Sequence, residues 1–205
     1  MKKTRTKKNW IQEHLKDPFV QKAQQDRYRS RAAYKLQEIN DKYHILKPGD
    51  YIVDLGSAPG SWSQYAAEIV GNAGHVIALD LLPMIGIQNV SFIQGDFLAD
   101  SVLRNLEDQL KNRQLDLVIS DMAPNISGIK SRDQAMMMNL NELTLAFAQD
   151  WLKPKGHFAV KTFIGAGYED FVLELKKTFI KVINFKPVAS RDRSAELFLV
   201  GLEKR

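Results

Sequence analysis

Short apolar segments alternate with amphipathic segments from residue 51 to the end of the chain. Each apolar run is bounded by glycine, proline or charged residues, and this pattern is typical of β-strands. Strands are predicted over residues 51–55, 75–80, 90–93, 115–120 and 157–163. Helices are predicted between them, over residues 61–70, 100–111, 133–151 and 169–179. Strands that alternate with helices favour an α/β fold, a parallel sheet with helices on both faces.

The chain ends in two predicted strands, near residues 180–185 and 196–200, which a polar loop connects. No helix is predicted between them, and parallel strands need a long crossover connection. We therefore expect the last strand to pair antiparallel with its neighbour.

Basic residues are concentrated at the N-terminus. Residues 1–35 hold 11 Lys and Arg against 3 Asp and Glu, whereas the remaining 170 residues hold 18 basic and 21 acidic residues. A basic arm on a mildly acidic body favours a polyanionic partner such as nucleic acid, and a solvated charged tail is the alternative. We predict a flexible basic arm over residues 1–25 and one domain over residues 26–205, whose first helix spans residues 29–43.

Several functional classes are excluded or disfavoured by composition. The chain has no cysteine, so disulfides and thiolate metal sites are excluded. Its 4 histidines are scattered without metal-ligand spacing, and we expect no metal. No apolar run approaches the roughly 18 residues of a membrane span, and the polar N-terminus does not resemble a signal peptide. These features favour a cytoplasmic protein that acts away from the membrane.

A glycine-rich turn follows the first predicted strand, in the segment from Asp54 to Trp62. Gly56 and Gly60 allow a close approach of the backbone to a ligand. The turn lacks the G-x-G-x-x-G spacing of a dinucleotide site and suits a nucleoside cofactor better; a plain strand–helix turn is the alternative. Asp80, at the end of the next strand, could accept hydrogen bonds from ribose hydroxyls or cap the strand.

Two further acids follow strands at the same predicted edge of the sheet. Asp96 follows residues 90–93 and could accept a hydrogen bond from an exocyclic amine, although a simple turn explains its position equally well. Asp121 follows residues 115–120, in a loop that Pro124 stiffens. Many base-amine methyltransferases resemble one another in placing an acid or Asn, two prolines and an aromatic residue in such a loop, to grip a flipped base. This loop has no aromatic residue, which argues against an amine target.

Lys161 interrupts an otherwise apolar strand, where a lysine is seldom found without a role. An outward-facing lysine at a sheet edge is the alternative. Glu196 opens the last strand and could equally be a solvated edge residue. Charges in a cleft are costly unless they are paired, so convergence of Lys35, Asp121, Lys161 and Glu196 would indicate chemistry.

Taken together, the segments resemble those of the FtsJ-like RNA ribose 2′-O-methyltransferases over nearly the whole chain from Arg29. The matching segments are Arg29–Ala32, Asp54–Tyr65, Asp80–Met84, Gln94–Phe97, Ser120–Asn125 and Ser190–Glu196. The resemblance implies a seven-stranded, Rossmann-like class I S-adenosylmethionine-dependent methyltransferase fold whose last strand is antiparallel. It implies a catalytic tetrad of Lys35, Asp121, Lys161 and Glu196. It also implies a cofactor site that includes Gly60, Trp62, Asp80, Asp96 and Asp121.

The activity that this resemblance implies is methyl transfer from S-adenosylmethionine to a ribose 2′-hydroxyl. The expected substrate is a uridine of large-subunit (23S) ribosomal RNA in the assembled 50S particle, the expected product is S-adenosylhomocysteine, and a monomer is expected. Alternatives are a relative acting on transfer RNA or an mRNA cap, and a non-catalytic RNA-binding assembly factor. A nicotinamide dehydrogenase is disfavoured because the phosphate loop is missing. Two roles for Lys161 stay open: a general base, or a group that orients the hydroxyl.

Overall fold

The computed structural model describes residues 15–191 and 194–205. The strands are β1 (Tyr51–Leu55), β2 (His75–Asp80), β3 (Val90–Gln94), β4 (Leu115–Ser120), β5 (Leu152–Phe163), β6 (Phe179–Phe185) and β7 (Glu196–Lys204). The helices are α1 (Pro18–Gln25), α2 (Ala33–Tyr43), α3 (Ser61–Val70), α4 (Asp100–Leu110), α5 (Lys130–Trp151) and α6 (Tyr168–Thr178). None of the helices in these ranges combines the length and the apolar character that a membrane span needs.

The described strands form one sheet of seven, in the order β3-β2-β1-β4-β5-β7-β6. The pairs β1–β2, β2–β3, β1–β4 and β4–β5 are parallel. Strand β7 lies between β5 and β6 and runs antiparallel to both. The predicted α/β fold with an antiparallel last strand is therefore confirmed. Since β1, β2 and β4 are parallel, the residues that follow them meet at one edge of the sheet, where ligands bind in open α/β folds.

Both faces of the sheet are covered, and successive strand residues alternate between the two covers. Val53 and Leu55 of β1 pack in a cluster with α4, α5 and α6. Ile52, between them, belongs to the opposite cluster, which α2 and α3 complete. Lys161 lies two residues after Ala159 on β5, and residues two apart in a strand point to the same face. Ala159 belongs to the α2–α3 cluster, so the Lys161 side chain leaves β5 on the side that α2 and α3 cover.

The N-terminal region differs from its prediction. Residues 18–25 were expected in a flexible arm, but they form α1, which Asp17 caps by accepting a hydrogen bond from the Phe19 backbone N–H at 3.0 Å. Val20 and Ala23 are buried, and Ala23 packs with Tyr34 of α2. Residues 1–14 of the predicted arm lie outside the described residues. The division of the chain into an arm and a domain stays a prediction.

Two element boundaries also differ from the prediction. Helix α2 begins at Ala33 rather than at residue 29, because residues 29–32 bond to α3 and to neighbouring loops. Strand β5 begins at Leu152 rather than at His157, because Leu152 pairs with Leu115 while His157 pairs with Leu117. The residues 153–156 form an irregularity between these two pairs, and the regular ladder that carries Lys161 starts after it.

Candidate active site

Four charged side chains meet where β4, β5 and β7 lie side by side. Asp121 directly follows β4, Lys161 lies on β5, and Glu196 is the first residue of β7. Lys35 reaches them from α2, which covers this face. The four predicted residues are therefore brought together, from segments that are far apart in the sequence.

Lys161 is buried, with 8% of the residue exposed. Its Nζ lies 3.1 Å from a carboxylate oxygen of Asp121 and also donates a hydrogen bond to the Asp121 backbone carbonyl. A buried ammonium without a partner would be strongly destabilising. The ion pair with Asp121 explains how this lysine is held in an apolar strand, and it excludes the alternative of a solvated edge lysine.

Lys35 and Glu196 form the second ion pair of the group, with Nζ and Oε1 2.7 Å apart. Burial alone would raise the pKa of the Glu196 carboxyl. The charge and hydrogen bond of Lys35, with smaller contributions from Ser190 and the charge of Lys161, outweigh that effect and hold the pKa below its ordinary value. Glu196 is therefore an anion in this site and is not a solvated edge residue.

An aromatic residue lies next to both lysines of this group. Phe198 is fully buried and pairs with Lys161 across the β5–β7 ladder. The Lys35 Nζ lies 5.7 Å from the centroid of the Phe198 ring, within the range of a cation–π interaction. The Trp62 ring packs against the Phe198 ring, with the two ring centroids 5.4 Å apart.

Helix α2 also fixes the loop that leads into β7. The Glu38 carboxylate accepts hydrogen bonds from the backbone N–H groups of Val188 and Ala189, both at 2.7 Å. Arg31, just before α2, donates to the Ala189 carbonyl, so side chains in and next to α2 bond to three consecutive peptide groups of this loop. The sequence analysis missed these contacts, which fix the loop just before Glu196. The only signal was that Glu38 lies one helical turn beyond Lys35.

Two basic side chains lie beside the group of four. Arg31 forms an ion pair with Asp17, and the Arg191 Nε lies 3.9 Å from the same carboxylate. Burial, the charge of Arg191 and the opposing charge of Glu196 leave the pKa of Arg31 below its ordinary value. Asp17 therefore holds two guanidinium groups together next to the tetrad.

The glycine-rich turn after β1 has the tight geometry that its sequence predicts. Gly56 and Gly60 both have positive φ angles, of 75° and 104°. A Cβ on Gly56 would lie 2.8 Å from the backbone N and Cα of Met122, in the loop after β4. Only glycine allows these two loops to approach so closely, and their contact brings the turn beside Asp121.

Asp80 lies at the end of β2 and connects the turn to the next loop. Its carboxylate accepts hydrogen bonds from the backbone N–H groups of Ala58 and Leu82, both at 2.8 Å. Each carboxylate oxygen retains a further lone pair, so Asp80 can still accept from ribose hydroxyls. Asp96 accepts from the Leu98 N–H at 3.0 Å, which is the simple turn that was the alternative for this residue.

Trp62 is not an open ligand-binding side chain. The residue is 2% exposed, and its indole Nε1 donates to the Ala32 carbonyl at 2.8 Å. Its backbone N–H lies in the first turn of α3, where such groups lack partners within the helix. Any contact of Trp62 with a cofactor would therefore use this N–H rather than the ring.

Two buried polar atoms beside the turn are not hydrogen-bonded within the described part of the chain. The Oδ1 of Asp54 and the Oγ of Ser57 have no hydrogen-bond partner among the described residues, although Ser63 donates to the other Asp54 oxygen at 2.6 Å. Burial raises the pKa of Asp54 to about 7, with the Ser63 hydrogen bond opposing and the charges of Asp121 and Asp80 adding to the rise. Since buried polar groups are nearly always bonded, these atoms fit a polar, hydroxyl- and amine-bearing cofactor.

Other features of the described residues lie apart from this chemistry. Within residues 15–191 and 194–205, no group of three or more His, Cys, Asp and Glu side chains could hold a metal ion. A groove of about 350 Å³ runs between α4 and α5, and its lining includes Leu103, Leu143 and Trp151. It contains none of the predicted catalytic or cofactor residues, so this groove is not the candidate active site.

Comparison with known proteins gives one family over most of the chain. Residues 28–204 match the FtsJ-like methyltransferase family. The chain is 55% identical over 205 residues to the "Ribosomal RNA large subunit methyltransferase E" of Methylobacillus flagellatus, with 100% of this chain and 99% of that protein covered. The protein of the same name from Chromobacterium violaceum is 53% identical over 205 residues, with 100% of each chain covered.

Solved structures show the same fold. A protein described as a ribosomal RNA methyltransferase from Plasmodium falciparum superimposes with a TM-score of 0.77 and 34% sequence identity, over 86% of this chain and 98% of that one. A methyltransferase from Streptococcus mutans, solved in complex with SAH, has a TM-score of 0.51 at 14% identity, over 79% of this chain and 90% of that one. The second comparison shows the fold alone.

Proposed function

This chain belongs to the FtsJ-like methyltransferase family, and we propose on that basis that it methylates large-subunit ribosomal RNA. The proposed reaction transfers a methyl group from S-adenosylmethionine to the 2′-hydroxyl of a uridine ribose in 23S RNA, at the assembled 50S stage. The convergence of Lys35, Asp121, Lys161 and Glu196 at the sheet edge carries the proposal. It supports catalysis rather than RNA binding alone, because a binding protein has no need of a buried lysine beside the cofactor turn.

We assign the cofactor site to the turn after β1 and to the acids that surround it. The cofactor supplies, when bound, a methyl group on a sulfonium, and S-adenosylhomocysteine is the product. Asp80 would accept from the ribose hydroxyls, and the backbone at Gly60 and Trp62 would lie against the amino-acid part. Asp96 and Asp121 would flank the base and the sulfonium, respectively. The unpartnered atoms of Asp54 and Ser57 support a polar ligand here.

The tetrad would position the 2′-oxygen and handle its proton. Lys161 would contact that oxygen, and Asp121 would keep the Lys161 ammonium in place through the ion pair. Lys35 and Glu196 would hold the ribose from the opposite side. Alignment of the oxygen with the methyl group can supply much of the rate. Lys161 would in addition either take the proton in its neutral form or stabilise the developing oxyanion as an ammonium.

Ribosomal RNA would be bound by the basic N-terminal region and by cations beside the tetrad. Residues 1–35 supply 11 Lys and Arg, and Arg31 and Arg191 lie next to the catalytic group. Arg193, a further candidate for phosphate contact, lies outside the described residues. We propose a cytoplasmic monomer without a metal, in which residues 1–25 bind RNA and residues 26–205 form the methyltransferase domain.

The substrate assignment is tested on the RNA itself. Large-subunit particles from cells that lack this protein would be incubated with the purified chain and S-adenosylmethionine, and the RNA would be mapped by mass spectrometry. One added methyl group on a uridine ribose is expected. Free 23S RNA, transfer RNA and capped RNA serve as parallel substrates.

A synthetic substrate with 2′-deoxyuridine at the mapped position completes the test. It should accept no methyl group, since the acceptor oxygen is missing. Methyl transfer to a base atom of that substrate would refute the ribose assignment, and preferential methylation of transfer RNA or of a cap would refute the ribosomal one.

A further inference from the structure

The segment of residues 27–32 connects α1 to α2 and lies against the start of α3. The Arg29 backbone N–H donates to the Gln64 side chain at 3.2 Å, and Gln64 in turn donates to the Arg27 carbonyl at 3.0 Å. The hydroxyl oxygens of Ser30 and Ser61 lie 2.7 Å apart. This segment was expected to begin a helix, but it forms bends and turns that bond to α3.

The Arg29 guanidinium bonds to backbone carbonyls of two separate loops. Its Nη1 donates to Pro59 at 2.9 Å and to Ile85 at 2.6 Å, and its Nη2 donates to Gly86 at 2.8 Å. Pro59 belongs to the glycine-rich turn after β1, while Ile85 and Gly86 belong to the loop after β2. Asp80 lies at the base of that second loop, so one side chain joins the two backbone segments on either side of the proposed ribose acceptor.

The two loops touch at Gly60, beneath this guanidinium. A Cβ on Gly60 would lie 2.7 Å from the Met84 Sδ, and 2.9 Å from both the Arg29 Nη1 and the Ile87 Cδ1. The second loop has little apolar burial before Ile87, since Leu81, Leu82 and Ile85 are all more than half exposed, and Ile87 at its end packs on the α2–α3 cluster. The hydrogen bonds from Arg29 therefore hold the exposed middle of this loop, at Ile85 and Gly86, against the turn.

We propose that Arg29 is a positioning residue for the cofactor: it holds the loop of residues 81–87 against the Pro59–Gly60 turn and so shapes the wall beside Asp80. The inference rests on the proposed cofactor site, but the loop contact itself does not. An arginine suits this position because its planar group offers several donors in fixed directions. A lysine ammonium retains the charge but cannot reach three carbonyls in the same geometry. The bound cofactor would in turn stabilise the loop, so binding and loop order would be linked.

The first test uses the cofactor-free chain, with Arg29→Lys and Arg29→Gln compared with Arg27→Lys. Arg27 lies in the same segment, and its side chain is exposed, which makes it a matched control. Amide hydrogen exchange of residues 81–87 should become roughly tenfold faster in both Arg29 variants, the loss expected for hydrogen bonds to a charged group. Exchange in β1 and β4 should stay unchanged and would show that the variants fold. Unchanged loop exchange in folded variants would overturn the proposal.

The second test measures S-adenosylmethionine binding by calorimetry. The dissociation constant should rise roughly tenfold for Arg29→Lys, equivalent to about 1.4 kcal/mol, while Arg27→Lys should bind like the unmodified chain. At saturating cofactor, kcat should recover in Arg29→Lys, which separates positioning from catalysis. Faster loop exchange with unchanged cofactor affinity would overturn the cofactor role. Loss of affinity for 50S particles alone, with both other readouts unchanged, would make Arg29 an RNA contact instead.

These readouts also separate the inference from the proposed function. If the unmodified chain failed to bind S-adenosylmethionine, the proposed function would be refuted. Loop exchange in the Arg29 variants would still decide whether the guanidinium holds residues 81–87.

Discussion

At the scale of single residues, the sequence indicates which buried charge must have a partner, but not which residue that partner is. Lys161 could be identified from the sequence because it interrupts an apolar strand, where only a paired lysine is stable. Which acid pairs with which lysine could not be read, since that depends on the β5–β7 register and on where α2 packs. The structure pairs Lys161 with Asp121 and Lys35 with Glu196. The contacts of Arg29 could not be predicted either. Its partners are backbone carbonyls, which every residue has, so they give no signal in the sequence.

Replacing Lys161 by Ala should abolish most methyl transfer while leaving cofactor binding nearly intact. We expect at least a ~10²-fold loss of kcat, as is typical of a positioned acid–base group. Lys161→Arg should not restore activity, since a guanidinium has a different shape and does not deprotonate. Single-turnover methylation of 50S particles gives the rate. Lys153→Ala, on the same strand but paired with Asp116, is the control, and an active Lys161→Ala would remove this residue from the chemistry.

Asp54 should make folding stability depend on pH. The folded state raises the pKa of the Asp54 carboxyl to about 7. The contribution of Asp54 to the free energy of unfolding is therefore fully present below the ordinary carboxyl pKa of about 3.9. That contribution is lost as the pH rises through 7. Asp54→Asn stays neutral and should therefore be more stable than the unmodified chain at pH 8, by on the order of a few kcal/mol.

Urea unfolding between pH 5 and pH 8 measures this effect. The stability difference between the Asp54→Asn variant and the unmodified chain should grow with pH and level off above 7. Asp108→Asn, at an exposed position on α4, serves as the control. A constant difference across this range would show that Asp54 is charged throughout.

At the scale of secondary structure, local signals predicted the central elements well. The bounds of β1, β2, β4 and α3 agree with the sequence analysis, because glycines, prolines and charged residues mark their ends. Helix α1 was missed because its stability comes from tertiary contacts: Asp17 caps it and pairs with Arg31 of another segment. The early start of β5 at Leu152 was missed for a similar reason, since only pairing with β4 extends the strand across residues 153–156.

Substitutions at Asp17 should separate the cap of α1 from its ion pair. Asp17→Asn can still accept from the Phe19 N–H but loses the charge that holds Arg31 and Arg191. Asp17→Ala loses both contacts and should destabilise α1 by roughly 1–2 kcal/mol, against less than about 1 kcal/mol for Asn. Hydrogen exchange of residues 18–25 measures the difference. Equal exchange in the two variants would show that the cap contributes nothing.

At the scale of the whole molecule, charge is distributed unevenly. Five cations, Lys2, Lys3, Arg5, Lys7 and Lys8, precede the described residues. The proposed catalytic group, by contrast, consists of two cations and two anions paired with each other. The phosphate backbone of RNA is therefore expected to be held by the arm and by the arginines beside the tetrad. The tetrad itself remains available for one ribose.

Deleting residues 1–14 should weaken RNA binding and reduce its salt dependence. The logarithm of the association constant falls linearly with the logarithm of the salt concentration. Each phosphate contact that is lost makes this slope less steep by about 0.7–0.9. The truncation spares α1, so S-adenosylmethionine affinity should not change. Filter binding to 50S particles at several salt concentrations measures the slope. An unchanged slope would assign RNA binding to cations of the folded domain such as Lys186.

Strand β7 is synthesised after β5 and β6, yet it lies between them. Its insertion joins β6 to the sheet and delivers Glu196 to Lys35. A chain whose synthesis stops before residue 196 holds three of the four charged groups but lacks the strand that closes the sheet around them. Completion of the group of four therefore requires the last strand: until β7 pairs with β5, Lys35 lacks the carboxylate with which it forms its ion pair.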